Sequence, residues 1–515
     1  MSDTCSMGSS TTQLPVKEFD SSSPSYGQPP DSPKTLVQVQ SHPTHHDGSL
    51  DSDQFEEADA EQYLRFSPAR KIGIVAILSF CAFLTPIAST AILTAVPELA
   101  KTFDTTGDII NASNALYLAF MGVSSLFWGP LSQIWGRRPI FIASGVLFCI
   151  FTAATALSPN LPAYFVFRIL AALQGTSFLV VGSSAIGDIY EPRTRASALS
   201  WLLSGSLTGP ALGPFLGGIV VTFRPWRIIL WLLTALTGFA VILLALFFPE
   251  TIPHKTNGGL AGHGLPKQTK MLWQRISPVR VFVLTFSYPN IFIAGLAAGA
   301  LVWNQYALLT PIRYVLNPRF HLTSPIQAGL FYLAPGCGYL AGTFVGGRWT
   351  DYTVKKYIDK RNGLRIPEDR LRSCIIYICI VTPGCLLVYG WTLDQEVGGI
   401  PAPVIAMFLQ GVAQLFCFPS LNTYCLDVMQ SQGRSAEVVA GNYVFRYVFA
   451  ALGTGVVLPA INALGVGWFN TISALFLVFS GVMVWLAAVY GPRWREAVDL
   501  KYARKAAEKK QAQLP

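Results

Sequence analysis

The sequence predicts an all-α polytopic membrane protein, with twelve transmembrane helices arranged as two six-helix halves. Only 13% of its 515 residues are charged and 51% are hydrophobic, whereas soluble domains carry about 25% charged residues. The charges lie between apolar runs that are long enough to cross a bilayer as helices. The loops after the second and fourth runs also share polar patterns with the loops after the eighth and tenth runs, which indicates that the two halves repeat one another.

The twelve apolar runs are expected to be helices because backbone groups that face lipid must form their hydrogen bonds within the segment. The second run is the least apolar, since it contains Asn111, Asn114 and Tyr117. The predicted helices are residues 72–96, 109–128, 139–158, 162–187, 198–222, 227–248, 289–310, 327–347, 372–393, 402–424, 436–460 and 467–490.

These helices divide the chain into five regions. Residues 1–64 are polar and rich in Ser, Thr, Pro and Asp, so we expect a disordered tail, of which residues up to 60 are dispensable for activity. An N-terminal half at 65–248 and a C-terminal half at 289–490 are joined by a linker at 249–288. Residues 491–515 form a basic C-terminal tail.

The Lys and Arg residues predict the orientation in the membrane. Most of the 37 lie in the tails and in loops on the same side as the tails. Because basic loop residues remain on the cytoplasmic side, we predict a multi-pass protein of the cell membrane with the linker and both termini in the cytoplasm. The predicted outer loops hold only Lys101, Arg224, Arg227, Arg313 and Arg319.

Several protein classes are excluded by what the sequence lacks. It has no Gly-Lys dipeptide, and therefore no phosphate-binding loop of an ATP-driven pump. None of the six histidines falls in a predicted helix and the membrane cysteines are scattered singly, so we expect no metal site and no cofactor. It also lacks a Gly-x-Ser-x-Gly elbow, and its net charge of +9 is spread over short loops. We therefore predict a protein that is not an enzyme and binds no nucleic acid.

Two loop patterns recur in both halves. In the first, a glycine is followed four residues later by a polar side chain, and eight and nine residues later by basic ones. In the second, an aspartate at a helix end is followed seven residues later by an arginine. Such matches indicate a duplicated unit, and transporters built this way hold their site between the two repeats. The first pattern is Gly129, Gln133, Arg137 and Arg138, repeated as Gly347, Asp351, Lys355 and Lys356; the second is Asp188 and Arg195, repeated as Asp427 and Arg434.

The fifth predicted helix has glycines at four-residue spacing, which give it a smooth face for close helix packing. Its prolines are expected to bend it. Plain packing through small residues explains part of this pattern. The residues concerned are Gly205, Gly209, Pro210, Gly213, Pro214, Gly217 and Gly218.

The stretch 128–139 resembles the signature loop of the major facilitator superfamily, and the fifth helix resembles the signature of drug:proton antiporters. The resemblance covers residues 66–495 and is closest to the fungal twelve-helix antiporters. Further matches to that group are residues 188–195, 249–251, 367–371, 389–391, and Asn442 with Arg446.

The resemblance implies the major facilitator fold and a conformational lock in the glycine-containing loops. It also implies multidrug efflux at a plasma membrane, that is, export of drugs or small organic molecules, organic acids among them, in exchange for protons. A monomer without an obligate protein partner is expected. The sequence departs from the family at Gln133, where Asp is usual, and after Arg168, where Ala171 and Ala172 replace the usual Gln and Gly.

Two ionisable side chains, Arg168 and Arg446, are placed deep within predicted helices. A charge at that depth is costly and persists where it faces a cavity or a partner. Either arginine would attract an anionic group or tune a proton site, or else would brace its helix through backbone carbonyls. The candidate substrate and proton pathway comprises Asn114, Tyr117, Arg168, Trp303, Asn304, Gln305, Gln410, Gln414, Asn442 and Arg446.

Three functions remain open on the sequence. An exporter of small molecules is favoured by the antiporter signature. An importer or facilitated carrier of a nutrient is the alternative, since no Asp or Glu lies near the middle of a predicted helix to carry a proton. A receptor or scaffold that transports nothing is the third.

Overall fold

The computed structural model describes residues 63–252, 277–321, 325–430 and 432–511, which form helices joined by turns. The predicted tail up to residue 62 and the linker residues 253–276 lie outside the described residues. Tyr63, at the end of the predicted tail, belongs to the described fold and is buried, with 4% of its surface exposed.

Twelve long helices are present in the described residues, which confirms the predicted fold class. Each corresponds to one predicted run, and they are numbered in chain order. They are α1 Pro68–Thr102, α2 Gly107–Trp135, α3 Arg137–Ala156, α4 Leu161–Ile189, α5 Arg195–Phe223, α6 Arg227–Phe247, α7 Pro289–Leu309, α8 Pro325–Lys360, α9 Tyr377–Asp394, α10 Pro401–Asp427, α11 Ser435–Leu464 and α12 Val466–Gln511.

Eleven of these helices are long and apolar enough to cross a membrane. The exception is α8, whose many glycines and polar C-terminal turns make it less apolar than the others. Two helices continue well past their predicted spans, α8 to Lys360 and α12 to Gln511. The predicted linker contains a short helix that the sequence reading missed, Pro278–Ser287, which buries Val281 and Leu284.

The two halves meet mainly along two helix pairs, α5 with α8 and α2 with α11. Glycines allow the close approach in both pairs. A Cβ on Gly129 of α2 would lie 2.7 Å from the carbonyl oxygen of Ala436 in α11. A Cβ on Gly336 of α8 would lie 3.2 Å from the Cβ of Ala211 in α5.

The glycine face of α5 packs within its own half, against α1. A Cβ on Gly209 would lie 3.0 Å from the backbone nitrogen of Ile87, and one on Gly213 would lie 2.9 Å from that of Ala91. A side chain at either position would therefore push α1 and α5 apart. Gly205 and Gly217 face α1 in the same way, and Gly218 is buried on the same helix.

Candidate functional site

A cavity of about 100 Å³ lies between the halves, towards the end of the bundle that is opposite the termini. We call it the distal cavity. It is formed by the distal parts of α1, α2, α5, α7, α8 and α11, and the prolines predicted to bend α5 form part of its wall. Its lining is Thr90, Leu93, Asn111, Asn114, Pro210, Pro214, Tyr306, Leu309, Thr310, Tyr332, Thr454 and Leu458.

A smaller cavity of about 40 Å³ lies next to it and shares Pro210 and Tyr306 with it. We call it the Arg446 cavity, because that guanidinium is the charged group in its wall. Both halves contribute to it, so a ligand there would contact both. Its lining is Pro86, Ser89, Leu118, Met121, Ser206, Leu207, Pro210, Val302, Gln305, Tyr306, Arg446, Tyr447 and Ala450.

Arg446 is 5% exposed and is held by aromatic rings rather than by acids. Its guanidinium carbon lies 4.4 Å from the ring centre of Phe418 and 4.7 Å from that of Tyr443. Its Nη1 has no hydrogen-bond partner in the part of the chain that the structure describes. Ring faces attract a cation but leave its N–H donors unpaired, and unpaired buried donors are costly. The guanidinium is therefore suited to an incoming acceptor.

Arg168 is more fully satisfied. One terminal nitrogen, Nη2, donates to the Ser89 carbonyl at 3.2 Å and to Asn114 Oδ1 at 3.1 Å. Its guanidinium also lies over the rings of Tyr117 and Tyr164, at 4.9 and 5.8 Å. Its Nε is buried without a hydrogen-bond partner among the described atoms. These contacts join α4 to α1 and α2, as expected if Arg168 braces its helix.

The remaining predicted pathway residues divide between the cavities and the helix contacts. Asn114 lines the distal cavity and Gln305 lines the Arg446 cavity. Trp303 instead donates to Ser473 of α12, at 3.0 Å. The others bond mainly to backbone within the C-terminal half: Asn304 to Ala300, Gln414 to Leu301 and Asn442 to Ala294, while Gln410 is buried without a hydrogen-bond partner among the described residues.

Charged side chains join the helix ends at the opposite side of the bundle, where Tyr63 and the extension of α12 lie. We call this the termini end. In the N-terminal half, Arg137 Nε pairs with Asp188 at 3.0 Å, and the Arg137 backbone N–H donates to Glu250 at 2.8 Å. Arg138 donates to the Ala245 carbonyl at 2.7 Å. These contacts tie the α2–α3 loop to the ends of α4 and α6.

Asp427, at the end of α10, lies among three arginines. Arg195 from the start of α5 donates to its Oδ1 at 2.5 Å, and Arg365 lies 3.0 Å from its Oδ2. Arg370 also donates to Oδ2, and to the Pro192 carbonyl of the other half. Burying a charge costs free energy, which ion pairing and hydrogen bonding offset. This cluster therefore holds the two halves together at the termini end.

Asp351 of α8 accepts three hydrogen bonds at the first turn of α5. The Ala196 and Ser197 backbone N–H groups donate at 3.1 and 2.9 Å, and the Ser197 hydroxyl donates at 2.5 Å. A carboxylate at a helix N-terminus is stabilised by the free N–H groups and the helix dipole. Burial raises the pKa of Asp351, and this rise is opposed by Arg370 and by the bonds from Ser197 and Ala196.

Gly347 permits the contact of Asp351 with the first turn of α5, because a Cβ at Gly347 would lie 2.7 Å from Ser197 Cα.

The predicted equivalent of Arg195 is Arg434, which pairs instead with Glu437 at 2.7 Å, within its own half. Four side chains that contact Arg195 or Asp427 were not singled out by the sequence reading: Arg370, Arg365, Gln430 and Tyr63. The first lies in the matched stretch 367–371, but no sequence feature distinguishes the other three.

Gln133 is the position where the first loop pattern lacks its usual aspartate. Its Nε2 donates to the Gly433 carbonyl at 3.0 Å, just before α11 begins. We expect Gln133→Asp to keep transport within about twofold of the parent rate, because favourable placement near the α11 N-terminus offsets one lost hydrogen bond. Transport rate per molecule in the membrane is the measurement. A rate reduced as strongly as that of Gln133→Lys, which places a cation there, would contradict the expectation.

Comparison with known proteins agrees with this architecture. A family model described as Major Facilitator Superfamily matches residues 78–454. "Efflux pump radE" of Floropilus chiversii is 28% identical over 83% of this chain and 81% of its own length. "Citrate exporter 1" of Aspergillus niger is 25% identical over 86% of this chain and 90% of its own. Among solved structures, the human organic anion transporter MFSD10 (TETRAN) superimposes with a TM-score of 0.62 at 15% identity, over 81% of this chain and 100% of that one.

Proposed function

Because this chain belongs to the Major Facilitator Superfamily, whose members are transporters and not enzymes, we propose that it exports small organic anions by alternating access. The observation that carries the proposal is Arg446, a buried guanidinium that lines a cavity between the halves and faces no carboxylate among the described residues. An anionic group would supply the missing acceptor.

The proposed transport cycle follows from where the halves touch. The termini end is closed by the Asp427 and Asp351 contacts, while the distal cavity lies beyond them. Rocking of one half against the other would break those contacts and expose the Arg446 cavity to the termini end. A substrate bound between the halves would then be carried from one side to the other without covalent chemistry.

The side chains that line the two cavities narrow the substrate class. The two cavities share a wall at Tyr306 and Pro210 and are lined mostly by apolar and aromatic side chains. One unpaired guanidinium favours one carboxylate or similar group, and the surrounding surface favours an apolar or aromatic body. The names of the fungal citrate exporter and of the human organic anion transporter are consistent with the wider class, an organic anion, and do not bear on the number of its carboxylates.

The direction and the driving force form the finer part of the proposal. The glycine face of α5 against α1, which resembles the antiporter signature, favours export. Exchange for protons would supply about 1.4 kcal/mol per pH unit and about 2.3 kcal/mol per charge for each 100 mV. The basic residues near the termini end favour a cytoplasmic location for both termini.

The test is efflux from cells that express the chain and have been loaded with a panel of labelled compounds. We expect aromatic and aliphatic monocarboxylates to leave faster than from control cells, and faster than matched neutral amides or cationic amines. Collapse of the proton gradient should raise the intracellular level of the acids. Efflux that favours the neutral or cationic members would contradict the proposal, and uptake that is insensitive to the gradient would favour the facilitated carrier.

A further inference from the structure

We propose that Tyr63, which precedes the first helix, is a gate residue that holds the two halves together at the termini end. The proposal rests on alternating access of the halves, which is part of the proposed function. On this proposal, the segment before α1 helps to set the ratio between the conformation that is closed at the termini end and the one that is open there. Tyr63 is thus a positioning residue, since it acts through the side chains that it contacts.

The Tyr63 hydroxyl oxygen bridges the two halves. It accepts a hydrogen bond from Gln430 Nε2 at 2.8 Å, and Gln430 lies after α10 in the C-terminal half. It also accepts from Arg195 Nη2 at 3.4 Å, and Arg195 begins α5 in the N-terminal half. Any separation of α5 from the end of α10 must therefore break at least one of these bonds.

The hydroxyl completes the coordination of a guanidinium that is only 1% exposed. Arg195 Nη1 donates to Asp427 and Gln430, Nη2 donates to the Gly187 carbonyl and to Tyr63, and Nε donates to the Tyr190 carbonyl. A buried donor without a partner carries a free-energy cost. Tyr63 thus stabilises the conformation in which Arg195 is buried against Asp427.

Neighbouring residues hold the segment around Tyr63 against the helices. Phe66 is 7% exposed and packs in the main core cluster. The Lys71 ammonium lies 5.5 Å from the ring centre of Tyr190, the residue whose carbonyl also receives Arg195. The chain therefore enters α1 along the contacts of Arg195 and Asp427, and Tyr63 is held in place across them.

The test compares Tyr63→Phe with Tyr502→Phe. Both remove one hydroxyl near the termini end, but the Tyr502 hydroxyl donates to Ser287 and so joins α12 to the short linker helix Pro278–Ser287 rather than one half to the other. Spin labels at Arg193→Cys and Lys356→Cys, with Cys5 and Cys337 replaced by serine, report the distance between the halves in purified protein in nanodiscs. We expect Tyr63→Phe to lower the ratio of closed to open conformations about fivefold, the value of one neutral hydrogen bond, and Tyr502→Phe to leave it unchanged.

A second arm measures coupling through a double-mutant cycle. Gln430→Met removes one of the two donors to the Tyr63 hydroxyl and leaves the bond from Arg195, so that Tyr63→Phe added to Gln430→Met should change the ratio by less than Tyr63→Phe alone. An unchanged ratio in Tyr63→Phe, or equal shifts in the two tyrosine variants, would overturn the proposal. This readout needs no substrate. Tyr63→Phe can therefore lower the ratio of closed to open conformations even if the protein exports no anion. Conversely, the ratio can stay unchanged in a protein that does export anions.

Discussion

Gly129→Leu is expected to reduce transport by roughly 10- to 100-fold while leaving the protein in the membrane. The position faces α11 so closely that a Cβ would lie 2.7 Å from the Ala436 carbonyl oxygen and 3.2 Å from Ala440 Cβ. Backbone cannot move aside as a flexible side chain can, and overpacking of this kind costs about 1–3 kcal/mol. Because the clash arises only when α2 and α11 approach, it penalises the conformation closed at the termini end.

The measurement is the efflux rate divided by the amount of protein at the membrane, and Gly73→Leu is the matched control. Gly73 lies in α1, near the termini end, with open space where its Cβ would be. Both variants add the same side chain to a helix, so they share its effects on propensity and expression. Equal rates in both variants would show that the α2–α11 contact does not close during transport.

The contact between α8 and α5, which corresponds to the contact between α2 and α11, leads to a second prediction of slow transport. Asp351→Ala removes the carboxylate that accepts from Ala196, Ser197 and the Ser197 hydroxyl. The first turn of α5 then loses its partner from α8 and closure is weakened, so we again expect slow transport with normal insertion. Asp351→Glu keeps the charge and should recover part of the rate. Transport at the parental rate in both Gly129→Leu and Asp351→Ala would refute the conformational lock in the glycine-containing loops.

The membrane helices were predictable because lipid leaves a polar backbone few alternatives to helical pairing. Outside the membrane this constraint no longer applies, so the ends of the helices there could not be predicted. The sequence therefore gives no reason for α8 to continue to Lys360 or for α12 to continue to Gln511. The short helix Pro278–Ser287 was missed because its ten residues are too few for a membrane span.

The candidate site was partly predictable from the internal repeat. The repeat located Gly129 and Gly347, both of which lie at contacts between the halves. It did not identify the partners, because several basic residues follow each loop and only the tertiary structure selects among them. The residues matched to Arg137 and Arg138 were Lys355 and Lys356, yet the basic residues of the C-terminal half that reach Asp427 are Arg365 and Arg370, from a later loop.

The cavity illustrates a second limit. Helical spacing places Asn442 and Arg446 on one face, but it does not say which neighbour that face meets. Asn442 donates to the Ala294 carbonyl of α7, at 3.4 Å, whereas Arg446 lines the cavity one turn further on. Tyr63 carried no signal at all, since a tyrosine in a polar segment looks like any other residue of a solvated tail.

Arg446→Gln is expected to reduce export of organic anions by roughly 10- to 100-fold, the value of a charge-assisted hydrogen bond. Arg446→Lys keeps the charge but loses the planar fork that binds a carboxylate through two donors, so we expect a smaller loss of about tenfold. Export of a neutral compound of the same shape should rise relative to that of the acid in the glutamine variant, because its binding does not depend on the cation.

Arg168→Gln provides the comparison that separates binding from bracing. Arg168 already donates to Ser89 and Asn114, so its loss should lower the amount of folded protein and slow all substrates together. Arg446→Gln should instead change the selectivity between acid and neutral compound at a similar protein level. The measurement is the ratio of the two efflux rates in each variant. If both glutamine variants export organic anions at the parental rate, a positively charged substrate cavity is the wrong account, because neither cation would then contribute to the binding of the transported anion.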